Sequence, residues 1–148
     1  MFFASDNAGP AHPAVMQALI DANTGFAMPY GKDEIMARLT QTLRDIFEAP
    51  EAAIYLVATG TAANSLALAT LCQPFQTIMC SPVAHIHEDE CNAPEFYSSG
   101  AKLTLVGQGD KMSAEALRRA YLAEETRGVH GPQRGPVSIT QVTERGQI

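Results

Sequence analysis

Four stretches of the chain carry apolar residues at helical spacing. HPAVMQALIDANTG (12–25) has a proline suited to a first turn and ends in Asn-Thr-Gly. EIMARLTQTLRDIFE (34–48) follows an aspartate and repeats apolar residues every three or four positions. AANSLALATLC (62–72) is rich in helix formers, and SAEALRRAYLAEE (113–125) starts with a serine suited to an N-cap. The pattern therefore predicts four helices.

Short apolar or β-branched runs lie between these stretches and predict strands. They are AAIYLVA (52–58), QTIMCS (76–81), KLTLV (102–106) and the alternating run 137–142. Strands that alternate with helices at this spacing indicate an α/β fold with a mainly parallel sheet.

The last predicted strand is followed only by six residues, which contain a turn-like Glu-Arg-Gly. A parallel strand needs a crossover and further strands to cover it. We expect the 148 residues to be the N-terminal part of a longer protein, so that the sheet is truncated. The alternative is a terminal edge strand with a short tail.

Composition narrows the class of protein. Lysine and arginine number 10 against 16 acidic residues, a net charge of −6, so a nucleic-acid partner is not expected. Hydrophobic residues make up 46% of the chain, which is enough for a core, but no apolar run is long enough to predict a membrane span. The three cysteines follow no CxxC spacing and the start lacks the features of a signal peptide, so we expect a cytoplasmic protein.

The first candidate for chemistry is the junction TGTAAN (59–64) between a strand and a helix. Gly60 lets a ligand approach the backbone, and Thr59 or Thr61 can cap the helix. The free N–H groups of a first helical turn attract an anion such as phosphate. The alternative is a plain capped helix after a tight turn.

The second candidate is AHIHEDEC (84–91), at the C-terminal end of a predicted strand, where open α/β sheets bind ligands. His85, His87 and Asp89 have the alternation of a metal site. Alternatively, one histidine lies flat on an aromatic cofactor beside a carboxylate, or the segment is a solvated acidic helix start. We expect Cys91 to be a small buried residue and not a nucleophile.

Five segments resemble, in order along the chain, the N-terminal part of the low-specificity L-threonine aldolases. These enzymes use pyridoxal 5'-phosphate (PLP) and belong to the aromatic-amino-acid β-eliminating lyase/threonine aldolase family. The segments are SDNAGPAHPAVMQAL, MPYGKDE, AAIYLVATGTAANSLALA, AHIHEDECNAPEFYSSGAKL and PVSITQVTERGQI. The resemblance implies the PLP-dependent transferase-like fold (fold type I). Residues 1–148 would form the N-terminal part of the PLP-binding large domain, without the rest of that domain or the small C-terminal domain.

The resemblance also implies an activity. Family members cleave L-threonine, L-allo-threonine and related β-hydroxy-α-amino acids to glycine and an aldehyde by retro-aldol chemistry, so the partner is a small amino-acid substrate. They are carbon–carbon lyases and form homodimers or homotetramers.

Residue roles carry over from the matching motifs. Gly60 and Thr61 match the turn that holds the PLP phosphate, and His85 matches the histidine that stacks on the pyridine ring. Glu90 matches the acid beside the cofactor.

Three loop positions match substrate-binding residues. Ser5 matches a serine near the substrate carboxylate, Tyr30 an active-site loop tyrosine, and His130 a histidine near the substrate hydroxyl. Taken singly, each of the three also suits ordinary turn chemistry. The resemblance makes His85 and His130 the catalytic candidates, with His130 or a water held by the histidines as the base.

The chain departs from the family pattern in two ways: none of its lysines matches the lysine that attaches PLP, and one family motif is missing. The family uses a lysine for covalent attachment of PLP, an aspartate in a His-x-Asp-Gly-Ala-Arg motif and an arginine for the substrate carboxylate. This sequence lacks that motif, and Lys32, Lys102 and Lys111 do not lie in such a setting. We therefore expect these 148 residues alone to be inactive. A metal-dependent hydrolase and a non-catalytic remnant are the alternative functions.

Overall fold

The computed structural model describes residues 8–148, and the chain divides into two units, Met1–Tyr55 and Leu56–Ile148. The first unit contains α1 (Pro13–Ala22) and α2 (Glu34–Ile46). The side chain that caps α2 is an aspartate, which accepts the third backbone N–H of the helix at 2.8 Å. Both helices were predicted from apolar spacing and their end signals, and both predictions are confirmed.

The second unit is a three-stranded sheet with helices. Its strands are all parallel, in the order β2-β1-β3. In chain order the elements are α3 (Gly60–Leu71), β1 (Gln76–Cys80), α4 (His85–Glu88), α5 (Ala93–Tyr97), β2 (Lys102–Leu105), α6 (Ala114–Glu125), a 3₁₀ turn (Gly128–His130) and β3 (Gln133–Val137). The predicted α/β class with a parallel sheet is confirmed.

One face of the central strand forms the core with α3. Ile78 and Cys80 lie two positions apart on β1 and point to the same side, where they cluster with Leu68 of α3 and with Cys72, which follows the helix. These contacts hold α3 on the sheet through its C-terminal half.

The other face of the sheet meets α6 through a polar contact from β2. The hydroxyls of Thr77 and Thr104 lie 2.6 Å apart, and Thr104 donates to Glu124 of α6 at 3.2 Å. Helices thus cover both faces of the sheet, as expected for parallel strands.

Two strand predictions are corrected. The strand predicted over 52–58 is not observed: these residues pair with no strand among the described residues, and Tyr55 and Leu56 are 84% and 66% exposed. A β-strand forms only when its backbone hydrogen-bonds to a second strand. An apolar run in the sequence does not show whether such a second strand is available.

The last strand, predicted over 137–142, is observed at Gln133–Val137. Its limits are set by β1, because the Gln133 amide donates to the Phe75 carbonyl and the Ser138 amide donates to the Met79 carbonyl. The short helix α5 was not predicted. None of the described helices is both long and apolar enough to cross a bilayer.

Candidate functional site

The first turn of α3 is open and capped. The Thr59 hydroxyl accepts the N–H of Ala62 at 3.1 Å, so Thr59 is the capping residue of the two predicted threonines. A Cβ added at Gly60 would meet nothing within 4 Å. The first N–H groups of a helix have no carbonyl acceptor inside the helix and carry the positive end of its dipole. Gly60 and Thr61 therefore offer backbone donors to an anion.

His85 begins α4, just beyond the C-terminal end of β1, and is bound to a buried carboxylate. Its Nδ1 atom lies 2.8 Å from Oε1 of Glu90. The Glu90 side chain is completely buried, whereas that of His85 is 39% exposed. One edge of the imidazole is thus held by protein while part of the ring stays accessible to a ligand.

Asn64 connects α3 to this pair. Its Nδ2 atom donates to the same Glu90 oxygen at 2.6 Å. Asn64 lies one turn after Gly60, about 6 Å along the helix axis. The open first turn and the His85–Glu90 pair are therefore parts of one site. Sequence reasoning assigned no role to Asn64, although its spacing of four from Gly60 places both on one helix face.

The site favours the protonated form of His85. The hydrogen bond to Glu90 raises the pKa of His85, partial burial opposes this effect, and the charges of Glu90, Glu144 and Asp89 raise the pKa further. The contribution of Glu144 was not foreseen from the sequence, because this residue is 59 positions away along the chain. The second oxygen of Glu90, Oε2, is buried and has no hydrogen-bond partner in the described part of the protein.

The alternating metal site suggested by the sequence does not form. His85 and His87 belong to a helix, so their side chains leave its axis about 200° apart instead of facing one ion. Across residues 8–148, no three His, Cys, Asp or Glu side chains are grouped to hold a metal. The metal-hydrolase alternative is therefore unsupported.

The expectation that Cys91 is buried is wrong. Cys91 is exposed at a turn, where its φ is 51°, whereas Cys72 and Cys80 are the buried thiols. Burial, with a smaller effect from the Glu95 charge, raises the pKa of the Cys80 thiol to about 11.

The predicted catalytic residue His130 is not brought to His85. His130 precedes β3 and lies near the N-terminal ends of the parallel strands, where β1 begins. His85 follows the C-terminal end of β1, so the two histidines lie at opposite ends of the strands. Tyr30 belongs to the first unit, where it is exposed with a φ of 61°. Ser5 lies outside the described residues.

The comparisons with known proteins agree with this architecture. A family model described as "Beta-eliminating lyase" matches residues 3–148. The chain belongs to the beta-eliminating lyase family.

Two curated relatives in this family are similar over nearly the whole chain. Both are named "Low specificity L-threonine aldolase", one from Pseudomonas sp. (strain NCIMB 10558) and one from Pseudomonas aeruginosa. Each is 40% identical over 147 residues, which is 99% of this chain. The chain spans 42% of the length of either relative.

A solved structure confirms the fold. The threonine aldolase of Leishmania major superposes with a TM-score of 0.87 at 24% sequence identity. The match covers 98% of this chain and 42% of that one. The predicted fold type I architecture is confirmed, whereas the predicted division into large and small domains stays a prediction.

Enzymes of the beta-eliminating lyase family use PLP in general, and the residues of this site fit that group. The space beside Gly60 is open, so a phosphate can approach the first-turn amides. The exposed part of the His85 ring offers a flat surface to a pyridine, while Nδ1 is held by Glu90.

Proposed function

We propose that the protein uses PLP in the cleavage of L-threonine, L-allo-threonine and related β-hydroxy-α-amino acids to glycine and an aldehyde. The observation that carries this proposal is the 40% identity, over 147 residues, to two low specificity L-threonine aldolases. The contacts among Asn64, His85 and Glu90 beside an open helix N-terminus support it.

We assign the cofactor contacts as follows. Amides of Gly60 and Thr61 bind the phosphate, because a helix N-terminus combines free donors with a favourable dipole. His85 stacks on the pyridine ring and limits its tilt, and Glu90 orients the imidazole through the hydrogen bond to Nδ1. When bound, PLP supplies an electron sink for the bond between Cα and Cβ.

The β-hydroxyl proton of the substrate needs a base. We keep His130, or a water held by the histidines, as the candidate, since histidine has an ordinary pKa near about 6.5. Because His130 and His85 lie at opposite ends of the parallel strands, the His130 that acts beside a given His85 would have to come from a second copy of the chain. This is one reason to propose a homodimer or homotetramer. Ser5 and Tyr30 remain proposed substrate-binding residues.

We further propose a cytoplasmic location. All three cysteines are free thiols, as a reducing compartment would maintain them.

Titration with PLP, followed by absorbance, tests the cofactor site. His85→Ala should weaken binding about tenfold, because loss of ring stacking costs about 1.4 kcal/mol. His87→Ala is the matched control: His87 is on the same helix but is exposed, and it should bind within about twofold of the parent protein. Inorganic phosphate should compete with PLP.

Equal binding by the two variants would remove His85 from the site. Absence of PLP binding by the parent protein would favour the non-catalytic alternative instead. Release of acetaldehyde from added L-threonine, measured with a coupled dehydrogenase, tests the reaction in a protein that also carries the lysine for covalent attachment of PLP. These 148 residues alone should release none.

A further inference from the structure

We propose that Asn64 is a positioning residue that fixes the Glu90 carboxylate and, through it, the ring plane and tautomer of His85. The use of this arrangement for stacking on a cofactor rests on the proposed function, but the arrangement itself is a property of the chain alone. It is carried by a hydrogen-bond pattern that joins residues 26 positions apart.

A single oxygen of Glu90 receives two donors from two different elements. Asn64 Nδ2, on α3, lies 2.6 Å from Oε1, and His85 Nδ1, on α4, lies 2.8 Å from the same atom. An ionised carboxylate only accepts hydrogen bonds, so Asn64 must present its NH₂ group and His85 must present Nδ1–H. Neutral His85 is therefore the Nδ1–H tautomer, and Nε2 is the nitrogen that gains and loses the proton.

Without Asn64, the Glu90 carboxylate would keep only its hydrogen bond to His85 within residues 8–148. Its other oxygen, Oε2, is buried without a partner among the described residues. The hydrogen bond from His85 alone permits rotation about the carboxyl group, and the ring would follow. Two donors from separate helices leave one favourable orientation. Asn64 thereby ties the imidazole to the same helix whose first turn offers donors to an anion.

The charged groups that act on His85 are Glu90, Glu144 and Asp89, and a substitution at Asn64 replaces none of them. Loss of the Asn64 donor can change either the orientation or the charge of Glu90, and the tautomer of His85 distinguishes the two effects. Asn64 is itself solvent-exposed, so its replacement does not create a cavity in the core.

The test is a pH titration of the protein labelled with ¹⁵N-histidine, monitored by NMR, without cofactor. Asn64→Leu removes both amide donors. Thr70→Ala, an exposed substitution on the same helix, is the matched control, and the His87 signals serve as an internal reference. We expect the parent protein and the control to show only the Nδ1–H tautomer of neutral His85. In Asn64→Leu, we expect mixed tautomers and a His85 midpoint that moves toward about 6.5, the ordinary value.

An unchanged tautomer in Asn64→Leu would overturn the proposal. So would a midpoint that rises while the single tautomer is kept, because Asn64 would then modify only the charge of Glu90 and not its position. Failure of the PLP titration together with the expected NMR result would reject the proposed function and leave the role of Asn64 standing.

Discussion

The proposed site is built around one buried carboxylate. Glu90 has no exposed side-chain surface, and a buried charge is costly unless it is paired or hydrogen-bonded. Asn64 and His85 supply that compensation at one oxygen. The resemblance to the threonine aldolases predicted His85 and Glu90 together, because both match one motif of that family. The sequence did not predict the contribution of Asn64, because a contact between distant residues exists only after folding.

The His85–Glu90 pair should make folding stability depend on pH. The pKa of His85 is raised in the folded protein, chiefly by the hydrogen bond to Glu90. The stabilisation is therefore complete below the unfolded-state pKa of about 6.5 and is lost as the pH rises through the folded-state value. Since His85 is partly exposed, we expect a loss of at most about 1 kcal/mol.

Urea unfolding at several pH values between about 5.5 and 9 measures this effect. His85→Asn should flatten the pH dependence over that window, whereas His87→Asn should leave it as in the parent protein. A parent protein that gained stability with rising pH, relative to His85→Asn, would contradict the assigned direction.

At the scale of elements, close packing of β3 on β1 depends on a glycine. A Cβ at Gly135 would lie 2.5 Å from the Thr77 carbonyl oxygen and 3.2 Å from the Cys72 sulfur. Neither neighbour can move freely, because one is strand backbone and the other belongs to the core. Gly135→Ala should therefore destabilise the protein by about 1–3 kcal/mol.

A lower midpoint of urea unfolding checks this prediction. Gly109→Ala is the matched control, because a Cβ there would meet nothing within 4 Å, and its midpoint should stay close to that of the parent. If Gly135→Ala were as stable as the control, β3 would not be as closely packed on β1 as described.

The helices were easier to predict than the strands for a physical reason. Helix ends are specified locally: Asp33 and Ser113 cap α2 and α6 with side chains three residues from the bonded N–H groups. Strands depend on partners elsewhere. Residues 52–58 have the composition of a strand but pair with no strand within residues 8–148. The position of β3 follows the carbonyls of β1 and not the alternation of its own residues.

At the scale of the whole molecule, the second unit brings together the residues that we propose contact PLP. This unit contains the first turn of α3 and the His85–Glu90 pair, and the family match covers residues 3–148. Covalent attachment of PLP also needs a lysine whose amine is kept neutral by burial or by a neighbouring positive charge. Lys32, Lys102 and Lys111 are the chain's three lysines, and all are exposed.

We therefore expect these 148 residues to bind PLP without a specific covalent link. After incubation with PLP and reduction with borohydride, peptide mapping should show only low, distributed labelling of the three lysines. Lys111→Arg is an informative variant, because Lys111 lines a cavity of about 270 Å³ beside the C-terminal end of β1. Stoichiometric labelling of Lys111, lost in this variant and blocked by inorganic phosphate, would contradict the expectation and identify that cavity as the attachment site. Equal weak labelling with and without phosphate would agree with the expectation that none of the three lysines is a specific attachment site.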